Sequence, residues 1–213
     1  MDERAAGDRE AARDQSREVA RIAAFSDGVF AIAITLLALQ LQVPAGRTVD
    51  VAHYLGELLP NMLSFVISFL VIGTYWVAHH RLFAVIERYD VRLIWLNMLT
   101  LFCIVILPFT TSLVGEHGDQ KIAVAAYAIS LAIGGIANTA TAAYALVGRR
   151  LCGAYVSART IKYYLWRGLV VSVVFLLSLL LLPLGTSAVQ YSWLGILAAQ
   201  WVVRRRFASP GEA

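Results

Sequence analysis

Six apolar runs set the terms for this chain: residues 19–43, 60–80, 93–115, 121–147, 163–183 and 186–203. A helix needs about 20 predominantly apolar residues to cross a bilayer's hydrocarbon core. Five runs meet that length and the last, with 18 residues, is the weakest. Only 15% of the 213 residues are charged and mean hydropathy is +0.68, whereas soluble domains carry about 25% charge. The expected fold is an all-α integral membrane protein of six transmembrane helices. It divides into a tail at 1–18, a membrane domain at 19–206 and a second tail at 207–213.

The net charge of +4 invites comparison with nucleic-acid binders, but the positions of the charges argue for a membrane instead. With the N-terminus placed in the cytoplasm, 16 of the 18 Lys and Arg fall in inward segments, and only Arg47 and Lys121 fall outside. That asymmetry is what the positive-inside rule produces, and no nucleic-acid partner is expected. Six crossings then leave both termini cytoplasmic. The first 18 residues, MDERAAGDREAARDQSRE, mix both signs without an apolar core. They read as a solvated tail or frayed helix, not a signal peptide. Cys103 and Cys152 suit a reducing compartment and are assigned no chemistry.

Further features shape the segments. Pro44-Ala45-Gly46 is a turn signal after the first run, and residues 49–59 read as a short interfacial helix before Pro60. Tyr75 and Trp76 are placed at headgroup level, and the third segment is expected to end near Pro108. The fourth is rich in Gly, Ala and Thr, which lets helices approach closely, so it is expected to pack inside the protein. The fifth is nearly pure Leu and Val and reads as lipid-facing. No duplication of three spans is visible, which weighs against an inverted-repeat transporter.

The first segment is the polar anomaly, because FSDGVFAIAITLL at 25–37 sets Ser26 beside Asp27 in a helix meant for lipid. An ionised Asp at mid-membrane costs roughly 2.5–3.5 kcal/mol, so it must be partnered or functional. With Ile32 at 0° and about 100° per residue, Leu36 falls near +40°, Leu39 near −20° and Thr35 near −60°. On the same scale Asp27 falls at roughly −140° and Ser26 at roughly +120°. One face is thus an apolar stripe and the other turns Ser26 and Asp27 toward neighbouring helices. Simple helix packing is the other reading of the stripe. Asp27 is read as a hydrogen-bond anchor before an ion-path carboxylate, with Arg21, Trp76, His79, His80 and Asn97 as candidate partners.

Arg21, Phe25-Ser26-Asp27 and the following GVFAIAITLL resemble the signature of the transmembrane protein 175 family, and YWVAHHR at 75–81 is similar to it as well. The resemblance implies a potassium channel, here a single six-span repeat assembling as a homotetramer with the first helix around a central pore. It implies a pore constriction at Ile32, Leu36 and Leu39 and a selectivity role for Thr35. An assembly and gating network would use Arg21, Phe25, Ser26 and Asp27, with Trp76, His79, His80 and Asn97 as partners. Potassium is then the permeating ion, no cofactor is expected, and the partners are lipid, monovalent cations and further copies of the chain. A plasma membrane is the expected location. No TVGYG-like loop lies between spans, and no helix carries Arg at every third position.

Two other classes stand beside this one. A proton-coupled transporter, or a proton-permeable channel, would use Asp27 as the proton group. A membrane metalloenzyme would use His79-His80, but adjacent side chains diverge by about 100° on a helix and make a poor chelate. No enzyme activity is expected.

Overall fold

The computed structural model describes residues 2–41 and 51–207. Among the described residues seven α-helices follow one another: α1 (Asp2–Ala38), α2 (Val51–Phe83), α3 (Val91–His117), α4 (Lys121–Leu146), α5 (Ala158–Ser178), α6 (Thr186–Ser192) and α7 (Gly195–Phe207). Five helical stretches are long and apolar enough to cross a membrane. The turn signal at 44–46, Gln42, Arg47 and the tail beyond Phe207 lie outside the described residues.

Several expectations change. The sixth run is not one helix. It breaks at Trp193–Leu194, where the Trp193 and Leu194 amides donate to the carbonyls of Gln190 and Tyr191 in tight three-residue turns. Seven and 13 residues span about 10 and 20 Å at a rise near 1.5 Å, so neither piece crosses alone. The break has a cause in packing. The Trp193 indole N–H donates to Ser178 Oγ at 3.0 Å, and the ring lies 5.2 Å from Tyr127 and 5.7 Å from Phe175. In series, the two pieces run back beside α5. Gln190 reaches the Gly118 carbonyl beyond α3, and Gln200 donates to the Arg167 carbonyl.

Residues 51–59 are not a separate helix but the first turns of α2. Pro108 does not end α3, which continues to His117. Membrane helices tolerate proline where neighbours satisfy the backbone. Here the missing Pro108 N–H costs the Ile104 carbonyl its helical donor, and side chains brace the turn around it: Thr111 Oγ1 donates to the Leu107 carbonyl and Gln40, just beyond α1, to that of Pro108. Tyr75 is no headgroup anchor either. It is buried, and its hydroxyl donates to the Leu131 carbonyl at 2.6 Å.

In lipid, apolar contact between helices gains little over apolar contact with acyl chains, so close packing and hydrogen bonds must hold the bundle. The small residues of α4 supply both. A Cβ on Gly168 of α5 would meet Thr139 Oγ1 at 2.2 Å, and one on Gly135 would meet Ser172 Oγ at 2.3 Å. The Thr139 and Ser172 hydroxyls fill the space a side chain would take, and each glycine's facing carbonyl oxygen lies only 3.5–3.7 Å from the other's Cβ position. Gly168→Leu is therefore expected to lose about 1–3 kcal/mol of stability, read as a lower thermal midpoint in detergent. The α5 window is only 17% buried against 56% for α4, which fits the expected contrast between the two segments.

Two apolar clusters divide the core. One gathers Phe30, Leu37, Ile72, Ile104, Leu131 and Phe175, and the other gathers Val19, Leu82, Leu93, Leu146 and Leu151. Hydroxyl groups tie the first together: with the Thr111 proton spent on the Leu107 carbonyl, Ser68 Oγ donates to Thr111 Oγ1 at 2.9 Å and pairs with the Tyr127 hydroxyl at 3.0 Å. At the start of α3, Asp90 caps the Leu93 amide at 2.8 Å and accepts from the Tyr144 hydroxyl of α4. Burial opposes ionisation of Asp90, but these hydrogen bonds outweigh it and hold the carboxyl below its ordinary pKa.

Candidate pore helix and its polar anchor

Helix α1 has two faces of opposite burial. Ser26, Phe30, Ala33 and Leu37 are buried against α2 and α3. Ile32, Leu36 and Leu39 stand 61%, 39% and 66% exposed, and Thr35, Gly28 and Phe25 share that open side. The spacing of the buried set, three or four residues, puts it on one side of a helix, which leaves the stripe unpartnered among the described residues. Thr35 Oγ1 donates to the Ile32 carbonyl at 2.8 Å. Its proton is thereby used locally, and the remaining lone pairs face outward.

The buried face ends in a polar anchor. Ser26 Oγ donates to the Ile22 carbonyl at 2.8 Å and accepts from Asn97 Nδ2 at 3.0 Å. Asn97 Oδ1 lies 2.7 Å from His79 Nε2. Since Ser26 has spent its only proton, the satisfied arrangement puts the hydrogen on His79 Nε2, donating to Asn97. The opposite amide orientation would leave a buried N–H on His79 Nδ1, which has no hydrogen-bond partner among the described residues. The His79 ring stacks on Phe83 at 4.4 Å and lies 5.4 Å from Phe30. All three polar residues are buried to within 1%.

Asp27 sits beside this chain with its own partner. The Trp76 indole N–H donates to Asp27 Oδ1 at 2.8 Å, a bond between α1 and α2. Of the candidate partners, Arg21 does not reach it. Arg21 pairs with Glu18 at 2.6 Å one turn earlier on the same helix and is 77% exposed. His80 is exposed and touches the network only through its ring, 5.5 Å from that of Trp76. Phe25 is exposed and makes no part of the anchor.

Sequence reasoning passed over Thr100 and Thr141, whose hydroxyls lie 3.3 Å apart and extend the polar layer from α3 to α4. Thr100 stands three residues after Asn97 on the same helical face, and that spacing was the available signal. At the far end of α1 the stripe opens beside a cavity of about 450 Å³ lined by Leu39, Gln40, Asn61, Ser112 and Glu116 among others. No group of three or more His, Cys, Asp and Glu converges among the described residues.

Residues 21–108 match the family described as "Endosomal/lysosomal potassium channel TMEM175". A potassium channel of Streptomyces collinus is 44% identical over 117 residues, covering 54% of this chain and 57% of that protein. A potassium channel of Chamaesiphon minutus is 41% identical over 131 residues, covering 58% and 64%. These matches thus span about six-tenths of the relatives' length. The chicken protein described as "Endosomal/lysosomal proton channel TMEM175" is 37% identical over 110 residues, covering 47% of this chain and 22% of that one. Among solved structures, a lysosomal potassium-selective channel TMEM175 homolog from Chamaesiphon minutus aligns with a TM-score of 0.75 at 28% identity, covering 88% of this chain and 98% of that one. These relatives are named as channels rather than enzymes.

Proposed function

We propose that this chain, whose residues 21–108 belong to the transmembrane protein 175 family, forms a potassium-permeable channel with α1 of four copies around a shared axis. The observation that supports the reading is the exposed stripe on α1, which finds no partner among the described residues although the opposite face is packed. Four copies meeting at an axis would close Ile32, Leu36 and Leu39 into successive apolar rings. From Ile32 to Leu39 the rings cover roughly 10 Å of path. A tight apolar ring resists wetting and blocks ions, and it conducts when the helices spread. It offers no ligand to replace lost hydration water, so it favours the cation that sheds water at lower cost, potassium over sodium. The outward lone pairs of Thr35 can accept from the ion's water or face the ion directly. Flow follows the electrochemical gradient with no covalent step.

The anchor does a different job in this reading. Ser26, Asn97, His79, Asp27 and Trp76 fix the rotation of α1, so that the stripe and not the packed face meets the axis. In this reading the α6–α7 pair together makes a sixth crossing and returns the C-terminus to the side of the N-terminus, which the bias of Lys and Arg along the sequence supports.

A potassium-gradient flux assay in liposomes tests the proposal, with sodium and caesium for comparison. Purified protein is expected to pass potassium faster than sodium, without saturation and without need of a pH gradient. Saturable solute uptake driven by pH would instead mark a proton-coupled transporter. The vertebrate relatives named as proton channels, and the partly exposed Asp27, favour proton conduction as the second reading. An interior pH dye in potassium-free vesicles separates the two.

A further inference from the structure

The end of the bundle where α1 begins carries a built basic platform. Two loops meet there, residues 84–90 between α2 and α3 and residues 147–157 between α4 and α5. The amides of Glu87 and Arg88 both donate to the Leu151 carbonyl, at 2.9 and 3.1 Å, and Ile86 pairs with Cys152 in an antiparallel bridge. Arg88 Nη2 donates to the Arg150 carbonyl at 3.1 Å. Gly148 and Arg149 turn the chain through left-handed backbone, with φ of 68° and 52°, a conformation disfavoured for a residue with a side chain.

The platform leaves Arg88, Arg149, Arg150, Arg159 and Lys162 exposed. The ion pairs among the described residues are Arg17–Asp14 and Arg21–Glu18, so none of these five cations meets a carboxylate. Beside them Val147 and Tyr155 stand 53% and 67% exposed. The 147–157 loop joins the ends of two membrane-crossing helices, which sets this mixture of cations and apolar groups at the depth of lipid headgroups.

We propose that this platform binds the phosphate of an anionic phospholipid headgroup and that the bound lipid bears on α1. A mechanical link joins the platform to α1, because the Tyr89 amide donates to Gln15 Oε1 of α1 at 3.1 Å while Asp90 beside it is held by Tyr144 of α4. Binding stands on the platform alone, whereas its effect on conduction rests on the channel reading above. A topogenic charge bias would also place Arg and Lys here, but it requires neither the paired loops nor a preference among lipids.

The test measures thermal midpoints of purified protein in a neutral detergent with added phosphatidylglycerol, phosphatidylcholine or inorganic phosphate. Phosphatidylglycerol is expected to raise the midpoint by about 3 °C or more, the shift of a ligand present at roughly ten times its Kd. Phosphatidylcholine and phosphate should give none. A variant combining Arg149→Gln, Arg150→Gln, Arg159→Gln and Lys162→Gln should keep the lipid-free midpoint and lose the shift. Should it not fold, Arg149→Gln with Arg150→Gln carries the test. Equal shifts from both lipids, a full shift from phosphate, or a shift retained by the variants would overturn the site. In liposomes, potassium flux should change with the phosphatidylglycerol fraction for the parent protein and not for the variant. Flux that ignores the lipid in both would remove the coupling to α1. A midpoint shift with no flux in any vesicle would sink the channel reading and leave the lipid site standing.

Discussion

An Ile32→Asn variant is expected to pass potassium about tenfold faster than the parent protein in a liposome flux assay, and to lose most of its preference over sodium. Tenfold corresponds to about 1.4 kcal/mol off the barrier. In the proposed four-copy ring, a carboxamide at each position gives water hydrogen-bonding partners where isoleucine gives none, so the throat would wet more readily and hydrated ions would pass with less discrimination. The stability of the single chain should barely move, within about 0.5 kcal/mol, because Ile32 is 61% exposed and no core contact is lost. Leu37→Asn is the internal control. Leu37 lies five residues on, fully buried on the opposite face, and its replacement should cut folded yield instead of raising flux. Unchanged rate and ion preference in Ile32→Asn would move the constriction away from this stripe.

The two faces of α1 were legible because helical periodicity is local and needs no knowledge of neighbours. The small-residue character of α4 was legible for the same reason, and its tight approach to α5 at Gly135 and Gly168 follows from it. Partner choice was less so. Arg21 looked able to reach Asp27, yet Glu18 stands three residues before it on the same helix and takes the guanidinium, while a donor 49 residues away, Trp76, takes the aspartate. Tyr75 has the composition of an interfacial aromatic and is buried instead. Gly134 and Gly135 of a helix distant in sequence leave its ring room, with Gly135's missing Cβ position 3.1 Å from the Tyr75 hydroxyl. Average hydropathy carries 186–203 as one run, with Gly195 a weak local hint of the break at Trp193–Leu194, whose place follows from where the Trp193 indole finds its acceptor. The pairing of Ile86 with Cys152 is non-local and was not foreseen at all.

Asn97→Leu should be among the most destabilising single changes in the polar layer, because Asn97 is the middle of a chain with no spare partners. Leucine has the same branching of heavy atoms and a larger volume, so it leaves no cavity and the loss does not come from cavity formation. It strands the His79 Nε2 proton and leaves Ser26 Oγ without its donor, both in fully buried positions. Hydrogen bonds between membrane helices average about 0.6 kcal/mol and reach about 1.7, so losing two predicts roughly 1–3 kcal/mol, measured as the drop in unfolding free energy in detergent. A cycle with His79→Phe sharpens this. Phenylalanine removes the stranded donor while keeping a ring against Phe83 and Phe30, so the double variant should recover part of the loss, with the two effects well short of additive. Additive effects would mean that the Asn97–His79 contact carries no coupling. In the proposed channel the anchor sets which face of α1 meets the axis, so Asn97→Leu should also shift ion preference in whatever fraction remains assembled. Asn97→Gln, which retains both a donor and an acceptor on a longer arm, should recover stability before it recovers selectivity.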